Sequence, residues 1–340
     1  GPPSSSCPDV GAARAVSDTP YADLDPDRIL DAVESVGLHA DGRVLALNSY
    51  ENRVYRIGME QGPARVAKFY RPGRWTDEAI AEEHAFSAEL KAADLSVVAP
   101  LDIQGRTLHH FQGHRFALFE LRGGHAPEPG NRDVLTHLGR VLGRLHAVGA
   151  SGRFAHRGVI GIESHGEDPV HYLLENRWLP PDLEGNFERL AEALFDAMDA
   201  CYERAGDTTT LRLHGDCHPG NILWRDDQAH FVDLDDCLSG PAVQDLWMLA
   251  GRREDSREPW RWLLEGYETF RAFDRRELHL VESLRTLRLL HHNAWIARRW
   301  HDPAFPVAFP WFEAPRHWES VITQMQEQLA ALQEPPPDPD

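Results

Sequence analysis

Between two stretches of helical periodicity lies a segment that cannot itself be a helix. Residues 211–237 read LRLHGDCHPGNILWRDDQAHFVDLDDC. Gly215, Pro219 and Gly220 break any helix through the first half. The runs NILWRD and HFVDLDD that follow are short and strand-like. Helical patterning precedes this segment over residues 182–205 and resumes from Ala242 to about Trp300. A loop and two strands set into a helical body therefore bring six aspartates together, and the fold has to give them a place.

The first third of the chain has a different character. RVLALNSYENRVYRIG alternates apolar and polar residues, and ARVAKFYRP follows after an EQGP turn, which predicts a hairpin and a third strand. WTDEAIAEEHAFSAELKAAD predicts a helix capped by Thr76 or Asp77, and TLHHFQGHRFALFELRGG predicts two further strands ending in glycines. A helix over DPDRILDAVESVGL, capped by Asp25 or Asp27, comes before all of these. The expected division is a disordered tail at 1–20, an antiparallel sheet with helices at 21–123, a mainly helical part at 124–333, and a second disordered tail at 334–340. The fold class is α+β, with a hinge near Glu120–Gly124.

Composition narrows the partners. The chain has 35 basic and 54 acidic residues, a net charge of -19, so a phosphate backbone is repelled and nucleic-acid binding is not expected. Cys7, Cys201, Cys217 and Cys237 form no CxxC pair, which suits a reducing compartment and predicts a cytoplasmic location. No apolar run approaches the ~20 residues that span a bilayer. The first residues also lack a signal-peptide layout, so no membrane partner is expected.

Two chemistries compete for the 211–237 segment. A zinc site would use His214, Cys217 and His218, but the i,i+4 pair His214/His218 needs a helix that the glycines and proline forbid, and no fourth ligand stands at a familiar spacing. Phosphoryl transfer uses Asp216 and Asn221, five positions apart on the loop, with Asp233 delivered by the second strand. Asp216 is placed to orient an attacking hydroxyl and accept its proton, while Asn221 and Asp233 supply hard oxygens suited to Mg2+ bridging ATP phosphates. The spacing equals that of the H-R-D-L-x-x-x-N loop of protein kinases.

With these residues the chain resembles the aminoglycoside-phosphotransferase/choline-kinase group of protein-kinase-like enzymes, whose loop reads H-G-D-x-x-x-x-N. LNSYENRVY, KFYRPGRWT, EEHAF, RLHGDCHPGNILWRD, FVDLDD, GPAVQDLWML and DPAFPVAFPW carry the likeness, in order, over residues 25–335. The resemblance implies a bilobal kinase-like fold with a β-rich N-lobe and a helical C-lobe. It also implies an ATP- and Mg2+-dependent enzyme that phosphorylates Ser/Thr hydroxyls of proteins, as a monomer. Asp216 is then the catalytic base, and Asp233 and Asn221 are magnesium ligands, with Asp233 counted among the catalytic groups. Lys68 contacts the α- and β-phosphates, with Glu83 as its partner and Glu82 as the alternative. Ser49 lies at the ATP site, Glu120 begins the hinge whose backbone pairs with adenine, and Asp245 is a buried brace for the catalytic loop. His214 is expected to brace that loop too, and Asp235 and Asp236 to be solvated or turn-capping carboxylates.

The sequence departs from ordinary protein kinases in several places. LNSYENRVY has no glycine, Asp233 is followed by Leu-Asp-Asp rather than Phe-Gly, and no A-P-E segment follows. His218 stands where Ser/Thr kinases carry lysine, as it does in the group's small-molecule kinases. A kinase of small alcohols and a nucleotide-binding pseudokinase are therefore the competing readings. In LRTLRLLHHNAWIARRWHDPAFP, Trp295 and Trp300 read as core, and Arg298 and Arg299 are left either to pair with carboxylates or to bind an anionic acceptor.

Overall fold

Asp25 opens the first helix, α1 (Pro26–Ser35), by accepting from the Arg28 amide at 2.8 Å, with proline at the first helical position. The structure is a computed structural model that describes residues 19–340; most of the expected N-terminal tail and Cys7 lie outside the described residues. A hairpin of β1 (Ala40–Leu47) and β2 (Arg53–Met59) leads to β3 (Arg65–Phe69), then α2 (Asp77–Ala92), β4 (His109–Phe111) and β5 (His114–Glu120). Thr76 caps α2, accepting from the Ala79 amide at 3.1 Å. The five strands form one antiparallel sheet in the order β1-β2-β3-β5-β4.

Strand alternation decides what faces the site. Ala67, Phe69, Phe116 and Leu118 pack with Ile29, Ala32 and Val33 of α1 on one side of the sheet. Lys68, between Ala67 and Phe69, points the other way with Ala117 and Phe119, toward α2. The second half of α2 turns its Phe86 and Leu90 into the large core of the following part, so one helix is shared by both halves of the molecule.

The remainder is mainly helical, in keeping with an α+β class. α3 (Arg132–Gly149) starts at Asn131, whose side chain accepts from the Val134 amide at 3.1 Å. A π-helical turn (Glu163–Glu167) runs into α4 (Asp168–Glu175), and α5 (Pro181–Ala205) follows. Four short strands come next: β6 (Leu211–Leu213), β7 (Ile222–Arg225), β8 (Gln228–Phe231) and β9 (Leu238–Gly240), paired β6–β9 and β7–β8. A 3-10 turn (Ala242–Asp245), α6 (Trp247–Ala250), α7 (Arg257–Tyr267), α8 (Val281–Arg298), α9 (Ala304–Ala308) and α10 (Pro315–Ala331) complete the chain. The strand run expected over HFVDLDD ends at Phe231, so Asp233 leaves the ladder and stands in the loop beyond it.

α3 and α7 approach so closely that glycine is required on both. A Cβ on Gly139 would meet the Leu263 carbonyl oxygen at 2.1 Å, and one on Gly266 the Thr136 carbonyl oxygen at 2.0 Å. The two halves are stitched by backbone: Val98 donates to the Phe231 carbonyl and Phe231 to that of Ser96, each at 2.9 Å. Residues 335–340 hold no helix or strand, yet the Pro339 carbonyl accepts from Arg261 Nε at 3.1 Å and Asp340 pairs with Arg275 at 3.4 Å.

Candidate active site

The 214–221 loop is hung from a buried carboxylate. Asp245, at the end of the 3-10 turn, accepts from the amides of His214 and Gly215, both at 2.9 Å, and shares a 2.8 Å hydrogen bond with His146 Nε2. Burial pushes the Asp245 carboxyl up, but His146 and these backbone donors outweigh it and hold it below the usual carboxylate range. Gln244 Nε2 donates to the Gly215 carbonyl at 2.8 Å. Gly215 has φ +96°, and a Cβ there would lie 2.2 Å from the Asp236 carbonyl oxygen, so only glycine fits. His214 is buried, and its Nδ1 accepts from the Asp216 amide at 3.3 Å.

This bracing presents Asp216 at the edge of a cavity of about 1590 Å3 between the sheet and the helical half. Asn221 donates its Nδ2 to both the carbonyl (2.8 Å) and the carboxylate (3.0 Å) of Asp216, which leaves its amide oxygen free. His218 Nε2 lies 3.6 Å from the same carboxylate. The other carboxylate oxygen receives Arg288 Nη1 from α8, a contact that sequence reading had not identified. Burial raises the Asp216 carboxyl, while Arg288 and His218 more than offset it, so it stays ionised.

Asp233 faces the same cavity, its Oδ1 accepting from the Asp235 amide at 2.8 Å. Lys68 Nζ stands 3.6 Å from Asp233, 3.7 Å from Glu83 and 3.9 Å from Asp235. Burial pulls the Lys68 ammonium down, but Glu83 and its other neighbours outweigh that and keep it charged. Glu83, not Glu82, is the helical carboxylate turned toward Lys68; Glu82 accepts from the amides of Ala155 and His156, both at 2.6 Å. Tyr70 also donates to Glu83, at 3.1 Å.

The expectation of solvated or turn-capping carboxylates requires correction for Asp235, which is buried, but not for Asp236, which stays partly exposed. The Asp235 side chain is 4% exposed and accepts from Arg74 Nη1 at 2.5 Å and Asn52 Nδ2 at 3.0 Å. Burial raises its carboxyl, but Arg74, Lys68 and Arg157 win and hold it far below the ordinary range. Asp236 is 43% exposed and pairs with Arg74 at 2.5 Å. Adjacent acidic residues in sequence cannot reveal which one turns inward. Arg157, also unassigned from sequence, is buried and donates to the carbonyls of Asp235 (2.6 Å), Cys237 (2.9 Å) and Ala79 (3.1 Å).

The β1–β2 turn reaches the cavity with Ser49, whose hydroxyl donates to the Asn52 carbonyl at 2.9 Å. That turn needs no glycine because side chains fix it. Arg71 donates to the carbonyls of Tyr50 and Glu51, both at 2.9 Å, and to Asp302 at 2.6 Å, which Arg53 also holds at 2.7 Å. The Glu51 carboxylate receives Arg299 at 2.8 Å and the Trp295 indole N–H. Trp295, expected as core, packs partly buried against the core and also makes this polar contact at the cavity wall. Trp300 packs against Phe312 and edge-on to Trp178, as expected of core. Glu120 does not line this cavity; its side chain is exposed at the end of β5, just before the 121–124 connector.

The oxygen donors fit a hard cation. Asn221, whose amide oxygen accepts no protein hydrogen bond, and Asp233 line one cavity. Among the described residues no three His, Cys, Asp or Glu side chains converge as ligands, so an ion there has to draw its remaining ligands from phosphate and water, the habit of Mg2+. The same geometry leaves the His214–Cys217–His218 cage without a basis. Cys217 is fully buried, and burial pushes its thiol well up, away from reactive thiolate chemistry.

The chain is similar to known proteins over most of its length. Residues 43–281 match the "Phosphotransferase enzyme family". Stress response kinase A of Escherichia coli (strain K12) is 43% identical over 317 residues, 93% of this chain and 96% of that protein. Serine/threonine protein kinase RdoA of Salmonella typhimurium is 42% identical over the same share. Among solved structures, an amicoumacin kinase in complex with AMP-PNP, Ca2+ and Ami has a TM-score of 0.67 at 16% identity, covering 88% of this chain and 94% of its own. A microcompartment-associated aminopropanol kinase has 0.66 at 19%, covering 89% and 98%. Among the described residues no helix is long and apolar enough to cross a membrane.

Proposed function

The chain belongs to the phosphotransferase enzyme family and is a kinase, and we propose that it moves the γ-phosphoryl of ATP, with Mg2+, to Ser/Thr hydroxyls of proteins as part of a bacterial stress response. The observation that carries this reading is that Asp216, Asn221 and Asp233 line one cavity, backed by the buried Lys68–Glu83 pair. The names and near-full coverage of the relatives at 42–43% identity support the protein acceptor and the stress role. The three described cysteines are free, buried thiols, which supports a cytoplasmic setting.

In this reading Asp216 orients the acceptor hydroxyl and takes its proton as the hydroxyl oxygen bonds to the γ-phosphorus and the bond to the ADP oxygen breaks. Asn221 and Asp233 would hold Mg2+, which would supply neutralisation of the nucleotide's phosphate charge. Lys68, kept charged by Glu83, faces the α- and β-phosphates. Ser49 and the turn amides cover the phosphates from the sheet side. Catalysis rests on positioning and electrostatics, so the bracing by Asp245, Asn52 and Arg71 matters as much as the groups that touch substrate.

The second reading, a small-alcohol kinase, is favoured by His218 and by structural neighbours whose names specify amicoumacin and aminopropanol. Transfer of labelled γ-phosphate with Mg2+ to a protein panel and to an aminoglycoside, choline and homoserine panel separates the two. Label on protein Ser/Thr is expected; label on the small alcohols alone overturns the proposed acceptor.

A further inference from the structure

The α8 residues Arg288, His291, His292, Trp295, Arg298 and the following Arg299 fall at helical spacing and all line the cavity. The stripe carries three guanidiniums and no carboxylate. The facing wall, the stretch from Arg157 to Pro169, contributes His165, tilted against His291 with ring centroids 4.7 Å apart, and again no carboxylate to the lining. Every acidic group lining the cavity sits elsewhere: Asp23 near the N-terminus, Glu51 on the turn, Asp216 on the loop, and Asp233 and Asp236 beyond β8. In a chain of net charge -19, this wall gathers guanidiniums, two of them balanced by carboxylates of other elements and one left as local positive charge.

The partners of the three arginines differ. Arg299 is taken by Glu51 and Arg288 by Asp216. Arg298 is exposed, lies over the Tyr172 ring at 4.7 Å, and has no carboxylate partner among the described residues. Arg288 occupies the Asp216 oxygen that an acceptor hydroxyl must reach. A cationic acceptor would meet repulsion from Arg298 and have nothing to draw Arg288 away.

We propose that the acceptor is an acidic Ser/Thr-containing protein segment, anchored by Arg298, whose carboxylate draws Arg288 off Asp216 and so frees the base only when a substrate is present. This rests on the protein-kinase reading above and gives its substrate class. Arg288 is then a positioning residue, and acceptor-free hydrolysis of ATP is held down because water finds the base already paired.

The test uses Ser peptides of equal length flanked by Asp, by Ala or by Arg, with the full chain and Mg-ATP. The wild type should use the Asp-flanked peptide with kcat/KM about tenfold above the Arg-flanked one, and Arg298→Glu should invert that order. Arg288→Gln should raise acceptor-free ATP hydrolysis roughly fivefold while flattening the preference, whereas loss of a merely structural contact lowers both activities. Equal use of the three peptides, preference for Arg, or unchanged or slower hydrolysis in Arg288→Gln overturns the proposal and leaves the kinase reading standing. Label on no peptide at all removes the protein acceptor of the proposed function as well.

Discussion

Asn52, in the turn between the first two strands, donates its side-chain N–H to Asp235, 3.0 Å away and 183 residues later in the chain. Its other amide atom accepts from the Arg71 backbone N–H at 3.1 Å, so one buried amide ties the β1–β2 turn to the loop beyond β8. Asn52→Ala leaves a buried N–H unpaired and the turn loose. A stability loss of about 1–3 kcal/mol is expected in urea, together with a several-fold weaker KM for ATP and a smaller change in kcat.

The two adjacent aspartates should separate cleanly. Asp235→Ala uncovers a charge network that includes Arg74 and Lys68 inside the protein, at an expected cost of about 3–5 kcal/mol. Asp236→Ala removes a half-exposed pair and should cost no more than about 1 kcal/mol. Denaturant midpoints of the two variants measure the difference directly.

Glu83 gives the protein a pH signature. Burial, with Asp235 and Asp233 adding to it, pushes its carboxyl up to about 7 against the pull of Lys68 and Arg157. The folded state therefore keeps a proton that the unfolded chain releases near pH ~4.3. Stability from this group is fully present below that point and is lost as pH rises to about 7. Unfolding free energy measured from pH 4.5 to 7.5 should fall less steeply in Glu83→Gln than in the wild type. Phosphate transfer should rise through about pH 7 in the wild type, as the ion pair with Lys68 becomes fully charged, and lose that limb in Glu83→Gln.

The α3–α7 contact predicts a stability effect without a catalytic one. Gly139→Ala places a methyl against the Leu263 carbonyl and forces the helices apart, at about 1–3 kcal/mol. The thermal midpoint should drop while activity per folded molecule at low temperature stays near that of the wild type.

Much of this was legible in the sequence because it depends on local patterns. Alternation along VAKF sends Lys68 to the face opposite Ala67 and Phe69, and Thr76 announces the start of α2. The loop residues Asp216 and Asn221 follow from glycine, proline and spacing. Other features have no local signature. The three-residue strands β6 and β9 are too short to show a period, and they find their partners, one another and the Val159 backbone, only in the fold. The inward turn of Asp235 and the reach of Arg288 to Asp216 join residues far apart in the chain, and the arginines that do this look like any surface arginine in the sequence. The choice between Glu82 and Glu83 depended on one-residue helical register, which backbone geometry resolves and composition does not.

The measurement closest to the central claim is single-turnover transfer of γ-phosphate from Mg-ATP to a Ser-containing protein substrate by Asp216→Ala, alongside nucleotide affinity of the same variant. If Asp216 is the base, transfer falls by about 10²–10⁴-fold while ATP binds as before. Transfer at the wild-type rate, with affinity intact, contradicts the assignment of the base.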